Sequence, residues 1–393
     1  MRVTPIAVLL TVCAAANAAA QSSVIAVPSV TIGAVYDDNL FARNDGSAGQ
    51  MLLFRPGLQA DVKTPRIDLG SEWSFDAQRA NFSSLNTLDA RRHAVVDLKY
   101  RTTPATTIGF ATRYDRSETP GEIDEAGLLG DRRQAHRLQF TPSLSQRIRP
   151  RMSIRASYDF IDESLIENAR GQLHTVRAGL ARDLSERTVV TASYQRREFV
   201  DQYDSNTANA LLGGIEHAIG PGKRVTFYAG PRISSYAGLS PEMTAGYVYS
   251  RNRFGTVLDY WHGDTIVLGI QGPVAVDSGT VRTSYRLSRS LEIGTHAGIS
   301  GIATTDDRRI AVYRGTLVGS WSLGDWYTVS GSYGIDYQTG DIRHVRSSLD
   351  GEMLFQDDRI MRHVFRVGVT IAPRLSRTIL PPDEAARAKG VIR

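Results

Sequence analysis

The sequence predicts an all-β fold: one transmembrane, antiparallel, up-and-down β-barrel of about eighteen strands behind a cleaved signal peptide. Three observations carry the prediction. Apolar and polar residues alternate, run after run, from about residue 24 to 375, which is the period of a strand with two different faces. The connections between runs alternate short and long. One face of the runs carries charged residues that could not pack as a dry core.

The chain begins with the three parts of an export signal. Arg2 supplies positive charge, Ile6 to Ala16 a short apolar core, and Ala18-Ala19-Ala20 a cleavage site before Gln21. That core is too short for a membrane anchor, and no later apolar run approaches the ~18 residues of a spanning helix. The expected organisation is a signal peptide at 1–20, a barrel at 21–375 and a periplasmic C-terminal tail at 376–393. Pro381-Pro382 argues against a strand in the tail, which is expected to lack fixed structure. Cys13, the sole cysteine, lies in the signal segment, so the mature chain is expected to have neither disulfide nor cysteine chemistry.

Alternation is clear in four segments. In 137–145, Leu138, Phe140, Pro142 and Leu144 oppose Arg137, Gln139, Thr141 and Ser143. In 152–160, Met152, Ile154, Ala156, Tyr158 and Phe160 oppose Ser153, Arg155, Ser157 and Asp159. In 280–288, Val281, Thr283, Tyr285 and Leu287 oppose Arg282, Ser284, Arg286 and Ser288. Near the end, Phe365, Val367, Val369 and Ile371 oppose Arg366, Gly368 and Thr370. Short turns such as Thr64-Pro65-Arg66, Gly220-Pro221-Gly222-Lys223 and Gly324-Asp325-Trp326 separate longer connections. The longer ones fall near 43–50, 83–90, 117–134, 166–171, 202–209, 237–243, 263–277, 304–309 and 340–359. An even count with this parity is what a closed outer-membrane barrel needs, with short periplasmic turns and longer outer loops.

A soluble β-sandwich would also alternate, but it would not sustain the parity of the connections. Nor would it tolerate the predicted inner face. The lumen-lining residues are read as Arg55, Lys63, Lys99, Arg113, Arg155, Asp159, Arg282, Arg286, Asp336 and Arg366. Arginine outnumbers acid there, which favours hydrated anionic or sugar-like solutes; the same residues also suit Arg–Asp ladders that only brace the wall. Tyr114, Tyr158, Phe160, Tyr194, Tyr236, Tyr260, Trp261 and Tyr337 fall towards the long-loop ends, and Trp326 and Tyr327 sit at a short turn, as two interfacial girdles would.

No motif nominates an enzyme. There is no G-x-S-x-G elbow, H-E-x-x-H, P-loop or dinucleotide fingerprint, and the histidines are scattered. The acidic pairs Asp37-Asp38, Asp306-Asp307 and Asp357-Asp358 read as solvated loop charges rather than cation ligands. The net charge of +5 is spread along the chain, without the basic run of a nucleic-acid binder. No cofactor or metal is expected.

The segment Tyr36-Asp37-Asp38-Asn39-Leu40-Phe41, just after the signal segment, resembles the β-barrel porin 2 family. The resemblance implies an outer-membrane barrel associated with exopolysaccharide synthesis and export, and brings no catalytic residues. It implies outer-membrane lipid and lipopolysaccharide as surroundings, and polysaccharide and periplasmic export components as partners. Tyr36 would join the outer girdle, and Asp37-Asp38-Asn39 would turn the chain into the first outer loop. The alternatives are a general or anion-preferring diffusion porin, or a structural or adhesive barrel with a plugged lumen. One departure is that the last strand, read as Arg362 to Ala372, is followed by a tail instead of ending the chain on an aromatic residue.

Overall fold

The alternating runs become eighteen strands in a computed structural model that describes residues 23–43, 46–119, 123, 127–130, 132–165, 169–201, 204–305, 308–340 and 359–373. The signal segment, the whole of the tail, residues 341–358 of the expected connection at 340–359 (with Asp357-Asp358) and Asp306-Asp307 lie outside the described residues. In chain order the strands are β1 (Ser23–Asp37), β2 (Gly49–Lys63), β3 (Ile67–Ala80), β4 (Thr87–Thr103), β5 (Thr106–Ser117) and β6 (Ala135–Arg149). Then come β7 (Met152–Leu165), β8 (Ala169–Asp183), β9 (Thr188–Val200), β10 (Ser205–Gly220), β11 (Lys223–Ser234) and β12 (Gly238–Arg251). The last six are β13 (Phe254–Val267), β14 (Ile270–Arg286), β15 (Leu291–Ala303), β16 (Arg309–Leu323), β17 (Tyr327–Gly340) and β18 (Arg359–Ile371). Each strand pairs antiparallel with the next, and β18 pairs back onto β1, so the sheet is one closed ring.

Four connections expected to be long are not: residues 169–171 already belong to β8 and 205–209 to β10, and two more stretches depart further. Residues 263–277 belong mostly to β13 and β14, which are joined only by Leu268 and Gly269. Residues 238–243 open β12 after a tight turn at 235–237. In 263–277 the apolar residues Ile266, Val267, Leu268, Val274 and Val276 pack inside the barrel instead of alternating towards lipid, so the period-two contrast fades while the hydrogen-bonded ladder continues.

The outward face is an apolar belt. Ile32, Leu52, Leu211, Ile299, Leu317 and Val367 are all exposed, on strands spread around the ring. A contiguous apolar surface of this extent is covered only by lipid. Tyr36, Phe75, Tyr194, Tyr313 and Phe365 border it at the long-connection end; Tyr100, Phe254, Tyr285, Trp321, Trp326 and Tyr327 border it at the short-turn end. The chain is therefore a barrel of the outer membrane, with its short turns on the periplasmic side. Two aromatics assigned to the outer girdle turn inward instead. Trp261 lines an interior cavity, and the Tyr236 hydroxyl donates to Asp264.

The motif at 36–41 sits at the seam. β1 and β18 pair residue for residue from Val30–Ile371 to Asp37–Val364. At the outer end of that ladder, buried Arg362 donates from Nε and Nη2 to the carboxylate of buried Asp37, at 2.9 and 2.5 Å. Asp38 accepts the His363 amide at 2.6 Å, and its own amide donates to the His363 carbonyl at 3.1 Å. Asn39 Nδ2 donates to the carbonyls of Met361 and Arg43, at 2.9 and 2.7 Å. Leu40 packs with Val35, Met51 and Val364, and the Phe41 ring meets Phe82 edge-on. Tyr36 faces lipid beside Phe365. The motif clasps the first strand to the last.

Two outcomes are expected. Leu317→Arg, which puts a charge on the lipid face near mid-strand, should lower the unfolding free energy in vesicles by about 2–4 kcal/mol, read from a urea titration. Asp37→Ala removes the bidentate partner of a buried guanidinium and should cost about 3–5 kcal/mol, read as a lower midpoint for loss of the folded, heat-modifiable gel band.

Candidate functional site in the barrel interior

Alternation sends every second side chain inward, and many of those are charged. Neighbouring strands bring opposite charges together. Arg55 on β2 meets Asp76 on β3 at 2.5 Å, Arg137 on β6 meets Glu163 on β7 at 3.1 Å, and Arg314 on β16 meets Asp336 on β17 at 3.3 Å. Asp115 on β5 takes both His93 and Arg113. Cross-strand pairs of this kind stiffen the wall. Two further pairs skip strands: Arg197 on β9 reaches Glu242 on β12 at 2.6 Å, and Arg232 on β11 reaches Asp264 on β13 at 2.8 Å. All four of these side chains are buried.

Within the half of the ring from β6 to β16 lies a cavity of about 520 Å³. Six arginines line it (Arg137, Arg155, Arg177, Arg197, Arg282 and Arg314) against four acids (Asp159, Glu242, Asp259 and Asp264). The arginines differ in how far their donors are engaged. Arg197 is held by Glu242 through two hydrogen bonds. Arg177 gives Nε to Gln195 at 3.0 Å. Nε of Arg155, and Nε and Nη2 of Arg282, are buried and make no hydrogen bond; the nearest acid to Arg282, Asp259, is 3.8 Å away. Asp159 accepts from Gln139 and Thr141 at 3.0 and 2.6 Å. With Arg137 and Arg314 matched by Glu163 and Asp336, the surplus of guanidinium donors over carboxylates in the cavity rests on Arg155, Arg177 and Arg282.

Three of the residues assigned to the lumen from sequence, Arg155, Asp159 and Arg282, come together in this cavity. The others occupy the same inward face elsewhere. Arg55 and Arg113 are tied to acids on the β2–β5 wall, and Asp336 is tied to Arg314. Arg366 stands across β18 from Ser332 and Val35. Lys63, Lys99 and Arg286 lie at or near the short-turn ends of their strands.

Two segments fold inward over the cavity. The β13–β14 hairpin bends at a register shift between Thr265 and Val267. Its Ile266 packs with Ile161, Leu173, Phe199 and Ala208, from β7 to β10. Since β8 lies five strands from β13, that contact requires the hairpin to lean across the ring. Asp264 anchors it, held by Arg232 and by the Tyr236 hydroxyl. Burial, with the Asp264 carboxylate beside it, pushes the Tyr236 phenol well above its ordinary range, so it stays a donor.

The second segment is the β5–β6 connection. Leu129 exchanges two hydrogen bonds with the Gln338 side chain on β17, at 2.7 and 3.0 Å. Arg314 donates to the Gly127 carbonyl at 2.8 Å. A Cβ at Gly127 would stand 2.5 Å from that guanidinium, and its φ of +74° also favours glycine. Leu128, Val267, Leu268, Val274, Val276, Ile302 and Val312 then form one apolar cluster inside the outer half of the barrel.

Sequence reading missed Arg177, Arg197, Arg232, Glu242, Asp264 and Gln338. The alternation that located Arg155 also places Arg177 inward, between Val176 and Ala178. Paired leucines in an otherwise polar connection were the signal at Leu128-Leu129. Among the described residues no group of His, Cys, Asp and Glu gathers to hold a metal.

No family model matches the sequence, and the curated proteins yield no match. Solved structures with a similar course of chain are outer-membrane proteins. OpdO of Pseudomonas aeruginosa is 9% identical with a TM-score of 0.49, over 89% of this chain and 97% of that one. OccK2 (OpdF) of the same organism is 11% identical with a TM-score of 0.47, over 89% and 98%. The anion-selective porin from Comamonas acidovorans is 11% identical with a TM-score of 0.37, over 90% and 100%. At such identities and scores the likeness carries no argument of its own, and the solute must be argued from this chain's own residues.

If the hairpin narrows the path, replacing residues 265–274 by a two-residue turn should raise single-channel conductance. Unchanged conductance in a folded variant would show that the hairpin does not limit flow.

Proposed function

We propose that this protein is an outer-membrane diffusion conduit that prefers small, hydrated anionic solutes. The surplus of guanidinium donors over carboxylates in the interior cavity carries the reading. In a narrow space with low-dielectric walls, such a surplus raises the local concentration of anions and lowers that of cations. The donors of Arg155, Arg177 and Arg282 replace part of an anion's hydration shell, while the serines and threonines between them, such as Ser193, Thr191 and Ser278, suit hydroxyls.

The cavity favours small solutes over a polymer. A volume of about 520 Å³ is in the range of small-molecule sites. The association with exopolysaccharide export comes from the motif at 36–41, and Asp37, Asp38 and Asn39 are engaged at the seam rather than around the cavity.

The test is conductance of the refolded chain in a planar bilayer under a potassium chloride gradient. The wild type should give a reversal potential on the chloride side. Arg155→Gln, Arg177→Gln and Arg282→Gln combined should move it towards non-selectivity while the channel stays open. Cation preference in the wild type, or unchanged selectivity in the triple variant, would sink the proposal. The apolar cluster under the hairpin favours one other reading, a structural barrel with a closed lumen. Silence from the wild type and from the hairpin-shortened form alike would establish it.

A further inference from the structure

The lipid-facing side carries a row of cations that the conduit does not use. Cross-strand pairs run Phe75–Arg92, Arg92–Arg116, Arg116–His136, His136–Ser164 and Ser164–Arg170, one residue from each strand from β3 to β8. All face outward, on the side opposite His93, Asp115 and Arg137. Arg79 stands exposed further along the same face of β3. Two residues inward along β5 and β6, Tyr114 and Leu138 begin the apolar belt. The row therefore lies at the level of the outer-leaflet headgroups.

The acids on this face do not neutralise it. Arg92 gives two hydrogen bonds to Asp89, at 2.7 and 2.6 Å, and Arg116 donates to the same carboxylate. One carboxylate thus serves two guanidiniums. Arg170 donates from Nε to Asp162 at 2.8 Å, with the rest of its fork free to turn outward, since 57% of the side chain is exposed. Arg92 is 54% exposed. Glu118, just beyond β5, is taken by Arg132 at 3.6 Å. Asp89 orients Arg92 and Arg116 side by side on adjacent strands, about 5 Å apart along the ladder. Arg170 follows three strands on, about 14 Å from Arg116. Asp89 takes the Nε–Nη2 fork of Arg92 and Nη1 of Arg116, so a phosphate between them would meet Nη1 of Arg92 and the Nε–Nη2 fork of Arg116. A second cation at that distance suits a headgroup with two separated phosphates.

We propose that this row, centred on Arg92 and Arg116 with Arg170 beyond, binds the phosphate groups of a phosphorylated glycolipid of the outer leaflet. The acyl chains would lie along the belt below, against Leu138, Phe140 and Phe160, which face lipid from β6 and β7.

The test uses the full folded chain in detergent and native mass spectrometry. The probes are bisphosphorylated lipid A, fully dephosphorylated lipid A, and inorganic phosphate as competitor. The wild type should retain lipid A at least about tenfold better than the dephosphorylated form, and millimolar phosphate should not displace it. Arg92→Gln, Arg116→Gln and Arg170→Gln combined should weaken retention by a similar factor, and lysine at 92 and 116 should restore part of it. Equal retention of the two lipids by the wild type would overturn the proposal, whatever the variants do. Displacement by inorganic phosphate would also overturn it, by showing a simple anion site.

Discussion

Inside a bilayer no water is present to take up an unmatched backbone donor or acceptor, and that constraint dictates the rest of this structure. Eighteen strands leave two edges, and both must be joined. The β1–β18 ladder joins them along its length, and Asp37, Asp38 and Asn39 lock its outer end with side-chain bonds to the last strand. Because the seam is the one pairing that brings the two ends of the chain together, it carries the largest loop-closure cost. The side-chain bonds of Asp37, Asp38 and Asn39 lie at that pairing. The clasp also explains why the chain spends two consecutive acids beside an apolar belt: one is matched by a guanidinium and the other by a backbone amide.

Closure creates an interior that must be filled or wetted. This chain does both. On the β2–β5 wall and at the seam, arginines are matched to acids, and their charge is used up in bracing the sheet. In the half from β6 to β16 the matching is incomplete, and the remaining donors face a cavity. Glycine makes room there. Gly214 lies under the Tyr228 ring, where a Cβ would come within 2.1 Å of the aromatic carbons, so the ring lies flat along the wall and its hydroxyl reaches Glu216 at 2.5 Å.

The outer half is shaped by strands and a connection that leave the wall. A hairpin leaning inward has to bury its tip, and Ile266, Val267 and Leu268 do so against β7–β10 on one side and β15–β16 on the other. The ion pair of Arg232 with Asp264 fixes its angle at a buried site, where breaking one partner is expensive.

A count of about eighteen strands, their two faces and the end at which the longer connections lie are legible in the chain alone. Those features are local: each follows from period two and from turn chemistry within a few residues. The inward direction of Arg155, Asp159 and Arg282 is legible there too, since parity is a property of the strand alone. Which inward residues meet is set only once the ring has closed. Arg197 with Glu242, Arg232 with Asp264 and Leu129 with Gln338 are joined by ring closure and by the inward lean of two segments, and no period in the sequence encodes contacts across a lumen. The stretch at 263–277 reads as a loop for the same reason: its apolar residues pack across the lumen, and a contact of that kind leaves no local period.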